Sequence, residues 1–106
     1  MALLPSLRQK KRYVLFEIIS DREFKSSEVE AAAILAIKEF IGQLGLAKSS
    51  PVFIKEQYAG QRFVLKVNHL FVKEIISALM LVKEIGKSAV AIKSVTTSGI
   101  LKKVSR

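Results

Sequence analysis

An α+β sandwich, with two helices on one face of a four-stranded antiparallel sheet, is predicted by three observations. The 106 residues are half hydrophobic and a quarter charged, enough to close one modest core. Apolar residues alternate in some stretches and recur at helical spacing in others. Those stretches follow one another as strand, helix, strand, strand, helix, strand.

Arg12–Ser20 is rich in β-branched and aromatic residues and reads as the first strand. Alternation puts Val14, Phe16 and Ile18 on one face, with Tyr13, Leu15, Glu17 and Ile19 on the other. The charge of Glu17 marks the second face as the more exposed. Ser27 and Glu30 have capping-box spacing. Val29, Ala33, Ile37, Phe40, Ile41 and Leu44 then predict an amphipathic helix over Glu28–Leu44, with Gly45 placed to stop it. A polar turn over Ala47–Pro51 leads into two strands, Val52–Tyr58 and Arg62–Asn68, joined as a hairpin with Gly60 at its tip. Asn68 can cap a second helix over His69–Ile85, which ends at Gly86 and has a broad apolar face. The last strand covers Ser88–Thr97.

The commonest solution to this order is a ferredoxin-like sandwich of the RNA-recognition-motif type. Residues 12–97 form its single domain, between a basic tail over 1–11 and another over 98–106. Right-handed crossovers give the sheet order 4-1-3-2, so the first and last strands are antiparallel neighbours. That topology gives meaning to the charge. Lys and Arg number 18 against 9 acids, a net +9. Residues 1–16 hold four cations and no acid, and residues 85–106 hold five and no acid. The middle is therefore neutral, and both cationic ends converge at one end of the sheet, aimed at a polyanion.

Catalytic constellations are missing from the sequence. Without Cys there is no disulfide, thiolate metal site or Cys nucleophile, and an intracellular home fits. His69 is the only histidine and fits a capping or solvent role, so no metal site is expected. The glycines lack phosphate-loop spacing. Glu28 and Glu30 suit a helix start, Asp21 and Glu23 flank Arg22 in a polar turn, and no pair suggests acid–base work. Charge follows rather than precedes the weakly apolar Met1–Leu7, unlike a secretory signal. Ile75–Val82 is far shorter than the roughly 20 residues a bilayer needs, so no membrane association is expected.

An RNA-recognition motif stacks bases on aromatics of its first and third strands. Here the third strand offers Arg62, Val64 and Lys66 to the open face, while Phe63 belongs to the core. Stacking by the sheet is not expected, although Tyr13 and Phe53 lie nearest that face. Tyr13, Leu15, Ile19, Phe53, Val64 and Val95 read instead as a patch that packs against a protein partner. Phosphate contact is assigned to Arg8, Lys10, Lys11, Arg12, Lys93, Lys102, Lys103 and Arg106, since each neutralised phosphate releases counterions whatever the base sequence.

Four segments in order carry a resemblance: RYVLFEI opens the domain and FIGQLGLAKS closes the first helix, then LKVNHLFVKEIISALMLV and a last strand ending TTSGILKK follow. Over Arg12–Lys103 the chain resembles the archaeal ribonuclease P protein component two, or Pop-five, family, shared with eukaryotic ribonuclease P and ribonuclease MRP. It departs from that family's pattern after Gly99, at Ile100-Leu101-Lys102. The resemblance implies a cytoplasmic, non-catalytic subunit of the ribonucleoprotein endonuclease that removes the 5′ leader from precursor tRNA. Cleavage would belong to the RNA and its bound magnesium, with no cofactor held by this chain. Implied partners are ribonuclease P RNA, precursor tRNA and a thirty-kilodalton barrel-shaped protein subunit. A homodimer of this chain within a heterotetramer is also implied. Two other classes share the fold: a structural RNA-binding protein of ribosomal type, and a regulatory or protein-interaction module.

Overall fold

The structure, a computed structural model, describes residues 10–99. Its elements are β1 (Lys11–Ile19), α1 (Ser26–Ser49), β2 (Val52–Phe53), β3 (Arg62–Asn68), α2 (Val72–Met80), β4 (Glu84–Ile85), β5 (Ser88–Ala89) and β6 (Ala91–Ser98). β4 and β5 form a separate two-stranded hairpin. The main sheet runs β2-β3-β1-β6 with every pair antiparallel, so the sequence-predicted strand order and ferredoxin-like α+β class both hold. The strand bounds differ by one residue from the expected domain limits, starting at Lys11 and ending at Ser98.

The core lies between sheet and helices. Val14, Phe16 and Ile18 of β1 are buried, as alternation requires. Phe16 stacks on its register partner Phe63 with ring centres 5.2 Å apart, and Phe63 stacks on Phe53 at 5.7 Å. The helices close this aromatic row with Val29, Ala33 and Ile37 of α1 and Ile75, Ala78 and Leu79 of α2. The hydroxyl of Tyr58 donates to the carbonyl of Phe24, tying the hairpin to the β1–α1 loop, and burial raises its pKa.

Several boundaries differ from the sequence reading. At the start of α1 the box is formed by Glu28, not Glu30: its Oε1 accepts the Lys25 N–H at 3.0 Å. Its Oε2 accepts from Arg22 at 2.9 Å, and the Arg22 guanidinium lies 4.3 Å from the centre of the Phe24 ring. The Lys25 N–H, against an opposing desolvation and with help from Arg22, holds the Glu28 carboxyl below its usual pKa. Gly45 does not stop the helix. The break is at Gly42, whose φ of 77° and ψ of 175° are open in practice only to glycine, and helix resumes to Ser49. Gly45 makes room at that kink, since a Cβ there would sit 2.8 Å from the Ile41 Cβ.

The predicted second strand shrinks to Val52–Phe53 and continues as a 3₁₀ turn over Lys55–Gln57. Gly60 does form the tip, where Gly60 and Gln61 both take positive φ between the paired Ala59 and Arg62. Asn68 caps a 3₁₀ turn, accepting the Leu70 N–H at 3.0 Å, before α2 begins. α2 ends at Met80, well short of Ile85, because the chain closes into 3₁₀-type bonds from Leu81 to Ala78 and from Val82 to Leu79. Gly86 then turns the small β4–β5 hairpin, and Ser88–Ala89 belong to that hairpin rather than to the last strand.

Phe63 has 0% exposure and rings packed on both sides. Phe63→Ala should cost about 3–5 kcal/mol of unfolding free energy in chemical denaturation, the usual cost of emptying a phenylalanine site in a core.

Candidate nucleic-acid interface

The sheet face turned away from the helices is ordered in three rows set by the strand registers. Nearest the chain ends, Lys66 of β3, Tyr13 of β1 and Ser98 of β6 lie side by side, with Val52 of β2 next to Lys66. The middle row pairs Val64, Leu15 and Thr96. At the far end Arg62, Glu17 and Lys93 pair, and the Glu17 carboxylate lies 3.7 Å from Arg62 Nε and 3.5 Å from Lys93 Nζ. The four main-sheet strands hold five cations, Lys11, Arg12, Arg62, Lys66 and Lys93, against the single acid Glu17.

Pairing of Tyr13 with Ser98 places the start of β1 beside the end of β6. The Lys10 carbonyl accepts the His69 N–H at 2.8 Å and lies 3.2 Å from the ring Nδ1, anchoring the approach to β1 on the β3–α2 junction. Arg12 Nη1 donates to the Lys11 carbonyl at 3.1 Å. It packs so closely on Gly99 that a Cβ there would come within 3.2 Å of it. Lys10, Lys11 and Arg12 therefore share one end of the sheet with the exit of β6.

Lys93 does not join them. Four residues along β1 separate the Tyr13–Ser98 pair from the Glu17–Lys93 pair, roughly 13 Å at the rise of an antiparallel strand. Arg8, Lys102, Lys103 and Arg106 lie outside the described residues. Two cations on the open face, Arg62 and Lys66, fall outside the phosphate set expected from the sequence. Alternation in β3 places both there, but a count of acid-free termini cannot reach them.

The expected apolar patch also needs correction. Leu15 and Val64 are buried within the chain, with Tyr13 and Ile54 packed against them. Phe53 belongs to the opposite face, because its register partner Leu65 points into the core. Ile19 and Val95 remain exposed, at 54% and 43%. Val95 is the extra residue of a β-bulge between the Leu15–Thr96 and Phe16–Ser94 pairs. Exposed apolar side chains are more frequent on the helical side. There Leu35, Phe40, Leu81 and Val82 line a groove of about 380 Å³ between α1 and the end of α2.

Among the described residues no group of three or more His, Cys, Asp or Glu side chains could hold a metal ion. No helix among them is long and apolar enough to cross a membrane. At the sheet end the arrangement sets Lys10, Lys11 and Arg12 together with no acid of the main-sheet strands beside them, a charge distribution that favours a polyanion.

These features define an α+β ferredoxin-like domain with a cation-rich sheet face and sheet end. The Rpp14/Pop5 family model matches residues 12–106, and the chain belongs to that family. "Ribonuclease P protein component 2" of Thermococcus kodakarensis is 36% identical over 104 residues, covering 98% of this chain and 87% of that protein. The protein of the same name from Pyrococcus furiosus is 35% identical over the same length, with the same coverage. That of Methanocaldococcus jannaschii is 32% identical, covering 95% and 74%. A chain in the cryo-EM structure of yeast ribonuclease MRP shares the fold, with a TM-score of 0.66 at 14% identity, over 87% of this chain and 76% of that one.

The Glu17 ladder is partly solvent-exposed, so its two ion pairs, both at or beyond 3.5 Å, should contribute little to stability. Glu17→Gln is expected to lower unfolding free energy by less than about 1 kcal/mol, and the difference should shrink with added salt in paired denaturation curves.

Proposed function

We propose that this chain is a non-catalytic protein subunit of ribonuclease P, the ribonucleoprotein endonuclease that removes the 5′ leader from precursor tRNA. Its share of the work is to bind the catalytic RNA and support its active conformation. One observation carries the reading: a member of the Rpp14/Pop5 family gathers Lys10, Lys11 and Arg12 at the sheet end where β6 leaves the domain. Cations fixed at one end of a rigid sheet suit phosphate contact, which needs charge and position but no base-specific geometry.

The RNA, with its bound magnesium, supplies the cleavage chemistry in this reading, and no residue of this chain is assigned to the metal. Precursor tRNA is the complex's substrate, and the cytoplasm is its place of work. A thirty-kilodalton barrel-shaped subunit is the protein neighbour, joined by a second copy of this chain within a heterotetramer. Arg8, Lys102, Lys103 and Arg106 extend the phosphate-binding set along the flanking segments. Lys93, held by Glu17, contributes less.

The test is a reconstituted enzyme carrying Lys10→Gln, Lys11→Gln and Arg12→Gln together. RNA affinity should fall, and the slope of log affinity against log salt should decrease by about two to three, near one for each phosphate no longer neutralised. Unchanged affinity with an unchanged slope would remove the assignment of the strand-end cations.

A further inference from the structure

We infer that Tyr13 and Lys66 form a site for one unpaired nucleotide of RNA, with the base stacked on the Tyr13 ring and its phosphate held by Lys66. This rests on the RNA-binding reading above, departs from the sequence expectation that the sheet stacks no base and that Tyr13 meets a protein partner, and adds a single-strand site distinct from the strand-end cations.

Tyr13 stands on the central strand of the sheet, paired with Lys66 on one side and Ser98 on the other. It is partly buried and packs against the Leu15 and Val64 cluster. Lys66 Nζ lies 6.0 Å from the ring centre, at the outer limit of a cation–π contact. An ammonium at that distance, on a flexible four-carbon stem, is easily drawn from the ring to an arriving phosphate.

Charge selects the occupant. Glu17 is the only acid in the main-sheet strands, and it lies four residues along β1 with Arg62 and Lys93 on its carboxylate. No acid of these strands therefore opposes a phosphate beside Tyr13. A protein surface is the poorer fit, because Leu15 and Val64 are already buried and Val52 is the one exposed aliphatic side chain in the row of Lys66, Tyr13 and Ser98. Duplex RNA is poorer too, since its bases are stacked on one another and present no free face.

The probes are a labelled oligouridine and an RNA duplex of the same length, titrated with the full-length chain over a salt series. Tyr13→Leu should weaken oligouridine binding roughly 5- to 150-fold, the range for loss of one stacked base, with salt slope and duplex affinity unchanged. Tyr13→Phe should bind as the parent does, because the ring and not the hydroxyl does the stacking. Lys66→Gln should lower the salt slope by about one. Equal oligouridine affinity in the parent and Tyr13→Leu overturns the inference. So does a loss by Tyr13→Leu that affects duplex and oligouridine alike, which would make Tyr13 a structural support only. If Tyr13→Leu is silent while the Lys10, Lys11 and Arg12 variant loses RNA, the stacking site falls and the RNA-binding reading stands. If the parent chain binds neither probe in a salt-dependent way, both fall.

Discussion

The double pairing of β1 is the constraint on which the rest of the molecule depends. It is bonded to β3 on one side and β6 on the other, so its register decides the facing of residues on three strands. A slip of one residue would turn Tyr13, Leu15 and Glu17 inward and expel Phe16 from the core. The stack of Phe16 on Phe63 resists that slip, because these rings are register partners as well as core neighbours. The same register brings Tyr13 beside Ser98 and Glu17 between Arg62 and Lys93. Hydrophobic packing on one face thus fixes the electrostatics of the other.

Alternation in a long, strongly patterned strand was legible, and so were β1, β3, the Val29, Ala33 and Ile37 part of the α1 stripe and the pairing of the start of β1 with the end of β6, whereas Phe40 and Leu44, expected on the same stripe, are exposed. What escaped had competing local solutions. Gly42 and Gly45 are both plausible helix breakers, and only the tertiary path selects Gly42 for the break and uses Gly45 for close approach to Ile41. The apolar run after Met80 continues a helical pattern, but its backbone tightens and leaves α2. The next turn uses Gly86 followed by Lys87 at φ 72°, a pair that lacks the Asn-Gly or Asp-Gly signal of a tight hairpin. Phe53 sits in a two-residue strand, too short for periodicity to assign a face; its pairing with Leu65 does so.

The bulge at Val95 shows how one residue changes a functional reading. Strict period two would put Lys93, Val95 and Thr97 on a common face. The extra residue shifts the phase, so Lys93 faces outward opposite Glu17, while Thr96 and Ser98 take the outward positions nearer the chain ends. The open face therefore gains hydroxyls beside Leu15 and Tyr13 instead of a further valine. That makes it more polar than the sequence implied, and it moves the apolar surface available to partners toward the helices.

A sheet covered on one side by helices must make its other side tolerable to water without emptying it of structure. This chain does so by sinking Leu15 and Val64 into a small second cluster and framing them with charge. At one edge of that cluster the cations are engaged by Glu17; at the other, Lys66 meets only an aromatic ring. The asymmetry has a direction, since the uncompensated edge is the one nearest Lys10, Lys11 and Arg12. A polyanion approaching the face therefore meets a gradient of potential that rises toward the shared strand ends, where salt screening limits its reach to about 10 Å. Net charge alone would attract RNA to any part of the surface. Placing the only acid of the sheet at the opposite end gives that attraction an orientation.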